Sequence, residues 1–142
     1  MNKVLIDTGY WFALFDPKDD LNLYDKAQKI LQYLENSKLL VPWPTLYETF
    51  NTKFSKKSNL LIQILKKNNV VLIDDTLYKE TALLNLEKNF KKRNLSLVDL
   101  IIREILIDKK IKIDYLISFN VKDFVDVCQR KQIQIIDNNF TV

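Results

Sequence analysis

The amino-acid sequence predicts an α/β fold in three layers, α/β/α, with a mostly parallel central sheet of about four to five strands. Three observations predict it. Short apolar runs alternate along the chain with segments whose apolar residues recur every three to four positions, the period of a helix with one buried face. The apolar runs are continuous and do not alternate with polar residues, which suits strands covered on both faces, as in parallel sheets. The 142 residues suit one hydrophobic core, so a single domain over residues 1–142 is expected.

Val4-Leu5-Ile6 reads as the first buried strand, ending at Asp7 and Thr8, and Tyr10 to Phe15 as a brief aromatic helical segment. Asp16-Pro17-Lys18-Asp19-Asp20 is a turn; behind it Ala27, Ile30, Leu31 and Leu34 recur at helical spacing until Asn36. Leu39-Leu40-Val41 is a second strand stopped by Pro42 and Pro44, and Thr45 is placed to open a helix carrying Leu46, Phe50 and Phe54. Leu60 to Leu65 reads as helix and Val70 to Ile73 as a third strand. A helix from Asp75 or Thr76 then runs through Leu77, Ala82, Leu83, Leu86 and Phe90 to the stop at Lys91-Lys92-Arg93-Asn94. Ser96 opens a further helix through Leu97, Leu100, Ile101, Ile105 and Leu106. The last strands are Tyr115-Leu116-Ile117 and Ile133 to Ile136.

Composition narrows the chemistry. With 47% hydrophobic and 11% aromatic residues the chain has the material for a packed core. The one cysteine, Cys128, excludes an internal disulfide and a cysteine-cluster zinc site, and its setting in FVDVCQR suits the buried side of a helix. The absence of histidine removes imidazole as ligand or general base, so any metal must be held by oxygen. One glycine in the whole chain excludes the Gly-rich phosphate loops of nucleotide-binding folds. The net charge of +4 is a weak attraction for polyanions, because the basic residues are nearly all lysine and spread along the chain. No apolar stretch approaches the roughly 18 residues of a membrane span, and a soluble, cytoplasmic protein without membrane contact is expected.

In an open parallel sheet ligands bind beyond the carboxyl ends of the strands, so polar residues directly after apolar runs are the first candidates. Asp7 and Thr8 are such residues, although the pair can equally cap the short helix behind it. Glu48 in Thr45-Leu46-Tyr47-Glu48 and Asp99 in Ser96-Leu97-Val98-Asp99 both match the capping-box spacing at a helix start. For Asp99 the flanking Leu95, Leu97, Val98, Leu100, Ile101 and Ile102 imply a helix buried nearly all round, where a carboxylate needs a partner or a cation. Arg103, four residues on and on the same face, is one candidate partner; it can instead contact a nucleic-acid phosphate. The cluster Ser118-Phe119-Asn120-Val121-Lys122-Asp123-Phe124 repeats the placement of Asp7 after a strand, again with helix capping as the ordinary alternative. If these carboxylates converge, two such charges about 4 Å apart repel by roughly 4 kcal/mol at an effective dielectric near 20, which a divalent cation offsets. Oxygen-only ligation favours Mg²⁺ or Mn²⁺.

Four segments, LIDTGYWFALFDPKDD, PTLYETF, LSLVDLIIREIL and YLISFNVKDF, resemble the successive acidic motifs of PIN-domain proteins over nearly the whole chain. By position the family's acids correspond to Asp7, Glu48, Asp99 and the Ser118–Asp123 segment, where Asn120 stands at a position that is often aspartate and Asp123 is the substitute. The resemblance implies a PIN-like fold and metal-dependent hydrolysis of RNA phosphodiesters with Mg²⁺ or Mn²⁺. Asp7 and Asp99 are then the primary metal ligands, Glu48 a ligand or water-orienting base, and Asp123 with Asn120 auxiliary contacts. Thr8 and Ser118 orient carboxylates or water. A lone domain of this size further resembles the toxin half of toxin–antitoxin pairs, which implies a homodimer, a small antitoxin partner and an RNA substrate. The lysines at 56–57, 66–67, 91–92 and 109–110 either guide RNA or simply solvate the surface. Two other readings stay open: a catalytically weak or inactive module that binds RNA or a partner protein, and, more distantly, a small-molecule phosphohydrolase. Phosphatases of the haloacid dehalogenase type want a second aspartate two residues after the first, where this chain has Gly9.

Overall fold

A computed structural model of the chain describes residues 1–16, 21–50, 58–89 and 94–139. Strands β1 (Lys3–Ile6), β2 (Lys38–Pro42), β3 (Val70–Ile73), β4 (Tyr115–Ile117) and β5 (Gln134–Ile136) form one sheet in the order β3-β2-β1-β4-β5. Every pairing is parallel. Among the described residues seven helices accompany it: α1 (Thr8–Phe15), α2 (Leu21–Tyr33), α3 (Trp43–Thr49), α4 (Ser58–Leu65), α5 (Lys79–Asn89), α6 (Leu97–Ile107) and α7 (Val125–Lys131).

The alternation of side chains along the strands builds two cores. Val4 and Ile6 of β1 join Leu39, Val41 and Ile117 on one face, under Tyr10, Trp11 and Leu14 of α1, Ala27 and Ile30 of α2 and Leu61 of α4. Leu5 points the other way and meets Leu40 and Leu116 under Ala82 of α5, Ile102 and Ile105 of α6 and Val127 and Cys128 of α7. The three-layer α/β/α architecture expected from the sequence is the one found. Cys128 sits in the second core, 1% exposed.

Chain order positions the site. The sheet grows from β1 through β2 to β3 on one side, then returns for β4 and β5 on the other, so its direction of growth reverses between the neighbours β1 and β4. In open α/β sheets the ligand crevice lies outside the strand carboxyl ends at such a reversal. Registry there is Ile6 opposite Ile117, and the Asp7 N–H continues the ladder to the Ile117 carbonyl at 3.0 Å. At the opposite end of these strands the Lys3 N–H donates to the Asp114 carboxylate at 2.9 Å.

Several local expectations are corrected. Helix α3 begins at Trp43, two residues before Thr45, because Pro42 serves as N-cap and Pro44 falls in the first turn, where a missing N–H has no acceptor to lose. Helix α5 begins at Lys79; before it the Tyr78 and Lys79 N–H groups turn back to the Asp75 carbonyl, and the Thr76 hydroxyl donates to Asp74. The apolar residues of this region cannot all face inward, and the helical spacing selects Tyr78 and Ala82, leaving Leu77 79% and Leu83 58% exposed. Strand β3 lies at the sheet edge, so Val71 and Leu72 are exposed despite belonging to a continuous apolar run. The helix from Ala27 closes with a 3-10 turn at Leu34–Asn36. Phe54, Phe90 and the basic residues at 56–57 and 91–93 lie outside the described residues. Among the described residues no helix is long and apolar enough to cross a membrane.

Candidate active site

Asp7 stands at the carboxyl end of the central strand, 3% exposed. As N-cap of α1 it accepts the Thr8 N–H on Oδ1 at 2.8 Å, so the capping alternative is part of its role. Its Oδ2 accepts the hydroxyl of Ser118, fully buried at the end of β4, at 2.9 Å. Two residues 111 apart in sequence thus meet because their strands are neighbours. Burial pushes the Asp7 carboxyl from the ordinary 3.8 up to about 6; the two hydrogen bonds work against that rise, and the charges of Asp99 and Glu48 add to it.

Glu48 reaches the same corner from α3. The Thr8 hydroxyl donates to Glu48 Oε1 at 2.6 Å. The capping-box expectation for Glu48 does not hold: the cap of α3 is Pro42 without a side-chain bond, and the Thr45 hydroxyl donates to the Pro42 carbonyl at 2.6 Å. Thr8 therefore faces two acids, through its N–H to Asp7 and through its hydroxyl to Glu48.

Asp99 does form the capping box. The Ser96 N–H donates to Asp99 Oδ2 at 3.0 Å and the Asp99 N–H donates to Ser96 Oγ at 3.1 Å. The expectation of a helix buried nearly all round is corrected: Leu97 is 38% exposed and Val98 and Asp99 are half-buried in the first turn of α6, and full burial starts at Leu100. Asp99 is thus a capping residue whose charge also acts on Asp7.

The segment after β4 divides its residues. The exposed Asn120 donates its N–H to Ser118 Oγ at 3.1 Å, which fixes the hydroxyl that serves Asp7. A 3-10 turn, Val121–Asp123, follows, and Asp123 accepts Arg103 Nη1 on its carbonyl at 2.8 Å. Arg103 is also bidentate on Asp126, with Nη1 to Oδ1 and Nη2 to Oδ2 both at 2.8 Å. The proposed partnership of Arg103 with Asp99 is thus replaced by one with Asp126, whose carboxylate raises the guanidinium pKa further above its already high ordinary value. Sequence reading missed Asp126; the signal available was an arginine on a largely apolar helix, which requires an acid from another element.

A cavity of about 450 Å³ opens beside this segment, lined by Asn94, Leu95, Asn120, Lys122 and Asp123. It offers an ammonium and two amides next to the turn that serves Asp7. The structure thus joins Asp7, Thr8, Glu48 and Ser118 by hydrogen bonds at one corner, with Asn120 on Ser118; Asp99 reaches Asp7 only through its charge, and Asp123 is linked to Arg103.

The donor set is all oxygen. Among the described residues no three acidic side chains already enclose one point. Mg²⁺ commonly keeps most of its water and takes one or two carboxylates. A buried carboxylate with both oxygens oriented and two like charges acting on it fits a hard cation held in that manner.

The sheet and its helices form a PIN-like fold. The chain matches VapC20 of Mycobacterium tuberculosis, a toxin that cleaves the sarcin-ricin loop, with a TM-score of 0.69 and 16% identity over 87% of this chain and 94% of that one. It also matches VapBC2 of Rickettsia felis, solved bound to a DNA fragment from the promoter, with a TM-score of 0.61 and 18% identity over 95% of this chain and 98% of that one. At such identities the likeness is one of fold. No family model and no curated protein matches the sequence.

Proposed function

We propose that this chain is a metal-dependent endoribonuclease using Mg²⁺ or Mn²⁺, the toxin of a toxin–antitoxin pair. The observation that carries the reading is Asp7: a buried carboxylate at the reversal point of the sheet, oriented through both oxygens and charged upon by Glu48 and Asp99. Asp7 and Asp99 would hold the cation, which supplies charge neutralisation for the phosphodiester and activation of water. Glu48, held on Oε1 by the Thr8 hydroxyl, has Oε2 to receive a proton from the attacking water. Ser118 keeps Asp7 oriented while its own lone pair takes the Asn120 N–H. Lys122, Asn94 and Asn120 line a cavity suited to a strand of RNA, the ammonium toward phosphate and the amides toward bases. Asp123 belongs to the rim of this site, as an auxiliary acid. The fold shared with two Vap proteins supports the toxin role and an antitoxin partner. The exposed Leu77, Leu83 and Leu84 on and before α5 support a homodimer, and a soluble, single-domain protein of the cytoplasm agrees with both.

The test is cleavage of structured RNAs by purified protein with Mn²⁺ or Mg²⁺. Wild type should cut and stop cutting in EDTA, and Asp7→Asn should lose at least a hundredfold in rate. Equal cleavage by wild type and Asp7→Asn overturns the reading. Metal-independent RNA binding without cleavage would establish the rival, an inactive binding module, which the rim position of Asn120 favours.

A further inference from the structure

We infer that Arg103 is a positioning residue whose guanidinium clamps α6 to the segment after β4 and so fixes Asp99 relative to Asp7; this rests on the reading that those two carboxylates form the reaction site. Asp99 is rigid with respect to α6, because the capping box ties its Oδ2 to the Ser96 N–H. Placing the helix therefore places the carboxylate. Arg103 lies one turn further along the same face and does that placing. Its Nη1 holds the Asp123 carbonyl at the end of the 3-10 turn, and Nη1 and Nη2 together grip both oxygens of Asp126 in the first turn of α7. One planar fork thus joins three elements, and a bidentate pair restricts rotation as well as distance. At the other end of the clamped segment Asn120 and Ser118 continue the hydrogen bonds to Asp7 Oδ2. The path from Asp99 to Asp7 is continuous: capping box, helix turn, guanidinium, 3-10 turn, Ser118.

The geometry also explains why Arg103 is a poor phosphate contact. Its side chain is 14% exposed and its fork is occupied by Asp126 and a carbonyl. An ammonium in its place has no planar fork with which to reproduce this set of bonds.

Amide exchange in metal-free protein and steady-state kinetics with Mn²⁺ test the clamp, using Arg103→Lys, Arg103→Met and Asp126→Asn. Asn85→Ala, which removes the Asn85–Glu104 bond between α5 and α6, controls for general loosening of the helix. Exchange at the amides of Asn120, Asp123 and Phe124 should rise about tenfold in Arg103→Met and Asp126→Asn, less in Arg103→Lys, with β1 and β2 unchanged. The turnover number should fall about 10- to 100-fold, the loss usual for a residue that orients ligands, with KM for RNA within about twofold. Unchanged exchange at those amides, or an equal rise in Asn85→Ala, overturns the clamp. So does a raised KM with unchanged kcat, which would make Arg103 a substrate contact. If wild type itself fails to cleave RNA, the nuclease reading falls while the exchange data still decide the clamp. Should Arg103→Met not fold, Arg103→Lys and Asp126→Asn carry the test.

Discussion

Replacing Asp7 by asparagine should stabilise the metal-free protein while abolishing the RNA cleavage proposed for it. The native carboxyl titrates near 6 because it is buried, whereas in the unfolded chain it titrates at its ordinary 3.8. Between those values the native state holds more protons than the unfolded state, so stability is full below about pH 4 and is lost as pH rises toward 6. The separation of the two values, at about 1.4 kcal/mol per pH unit, gives about 3 kcal/mol lost by pH 7. Asparagine has no such titration and matches the protonated carboxyl rather than the carboxylate: its oxygen accepts the Thr8 N–H, while its amide, like the acid's O–H, donates to Ser118 Oγ, whose own hydrogen turns away from residue 7. At an unfolding entropy of about 0.3 kcal/mol/K for this length, 3 kcal/mol corresponds to a Tm about 10 °C higher. Urea and thermal unfolding of both proteins in EDTA, from pH 4 to 8, measure this directly. The curves should coincide near pH 4 and diverge until about pH 7. Mn²⁺ should raise the Tm of wild type and leave the variant unmoved. An Asp7→Asn protein no more stable than wild type at pH 7.5, or a gap that does not close on acidification, refutes the reasoning.

Other predictions follow from single bonds. Thr8→Val removes the hydroxyl that holds Glu48 and should lower kcat about 10- to 100-fold in the RNA assay, with the circular dichroism spectrum unchanged. Ser96→Ala removes one half of the capping box on α6 and should lower stability by about 1 kcal/mol in urea titration; no change would show that α6 is held by packing alone. Tyr10→Phe leaves the Ala27 carbonyl without the phenol that bonds it at 2.9 Å, at a cost of about 1–3 kcal/mol read from the same titration.

Much of this could be read from residues in order. Continuous apolar runs at Val4–Ile6, Leu39–Val41 and Tyr115–Ile117 identified three inner strands, because burial on both faces leaves no polar position. Position after a strand singled out Asp7 and Ser118, but their meeting could not be read, since it depends on β4 pairing with β1. Glu48 matched a capping pattern that Pro42 and Pro44 displaced, and its bond to Thr8 comes from another element. The exposed leucines of α5 escaped a periodicity argument because too many apolar residues crowd one helix for a single face. Asp99 was read as needing a partner, and the cation offered was the near one on its own helix, Arg103. A guanidinium on a long stem reaches across elements as readily as along one, and topology decided for Asp126.

The bond between Ser118 and Asp7 ties residue 7 to a strand that is synthesised late. While the ribosome has released only β1, β2 and β3, one side of β1 has no partner and Asp7 has no Ser118. The corner is therefore finished only when β4 docks beside β1, a contact between residues 111 apart and of the kind that closes slowly. A partly made chain carries Asp7, Thr8 and Glu48 without the Ser118 hydroxyl that orients Asp7, so the corner is complete only once β4 is in place.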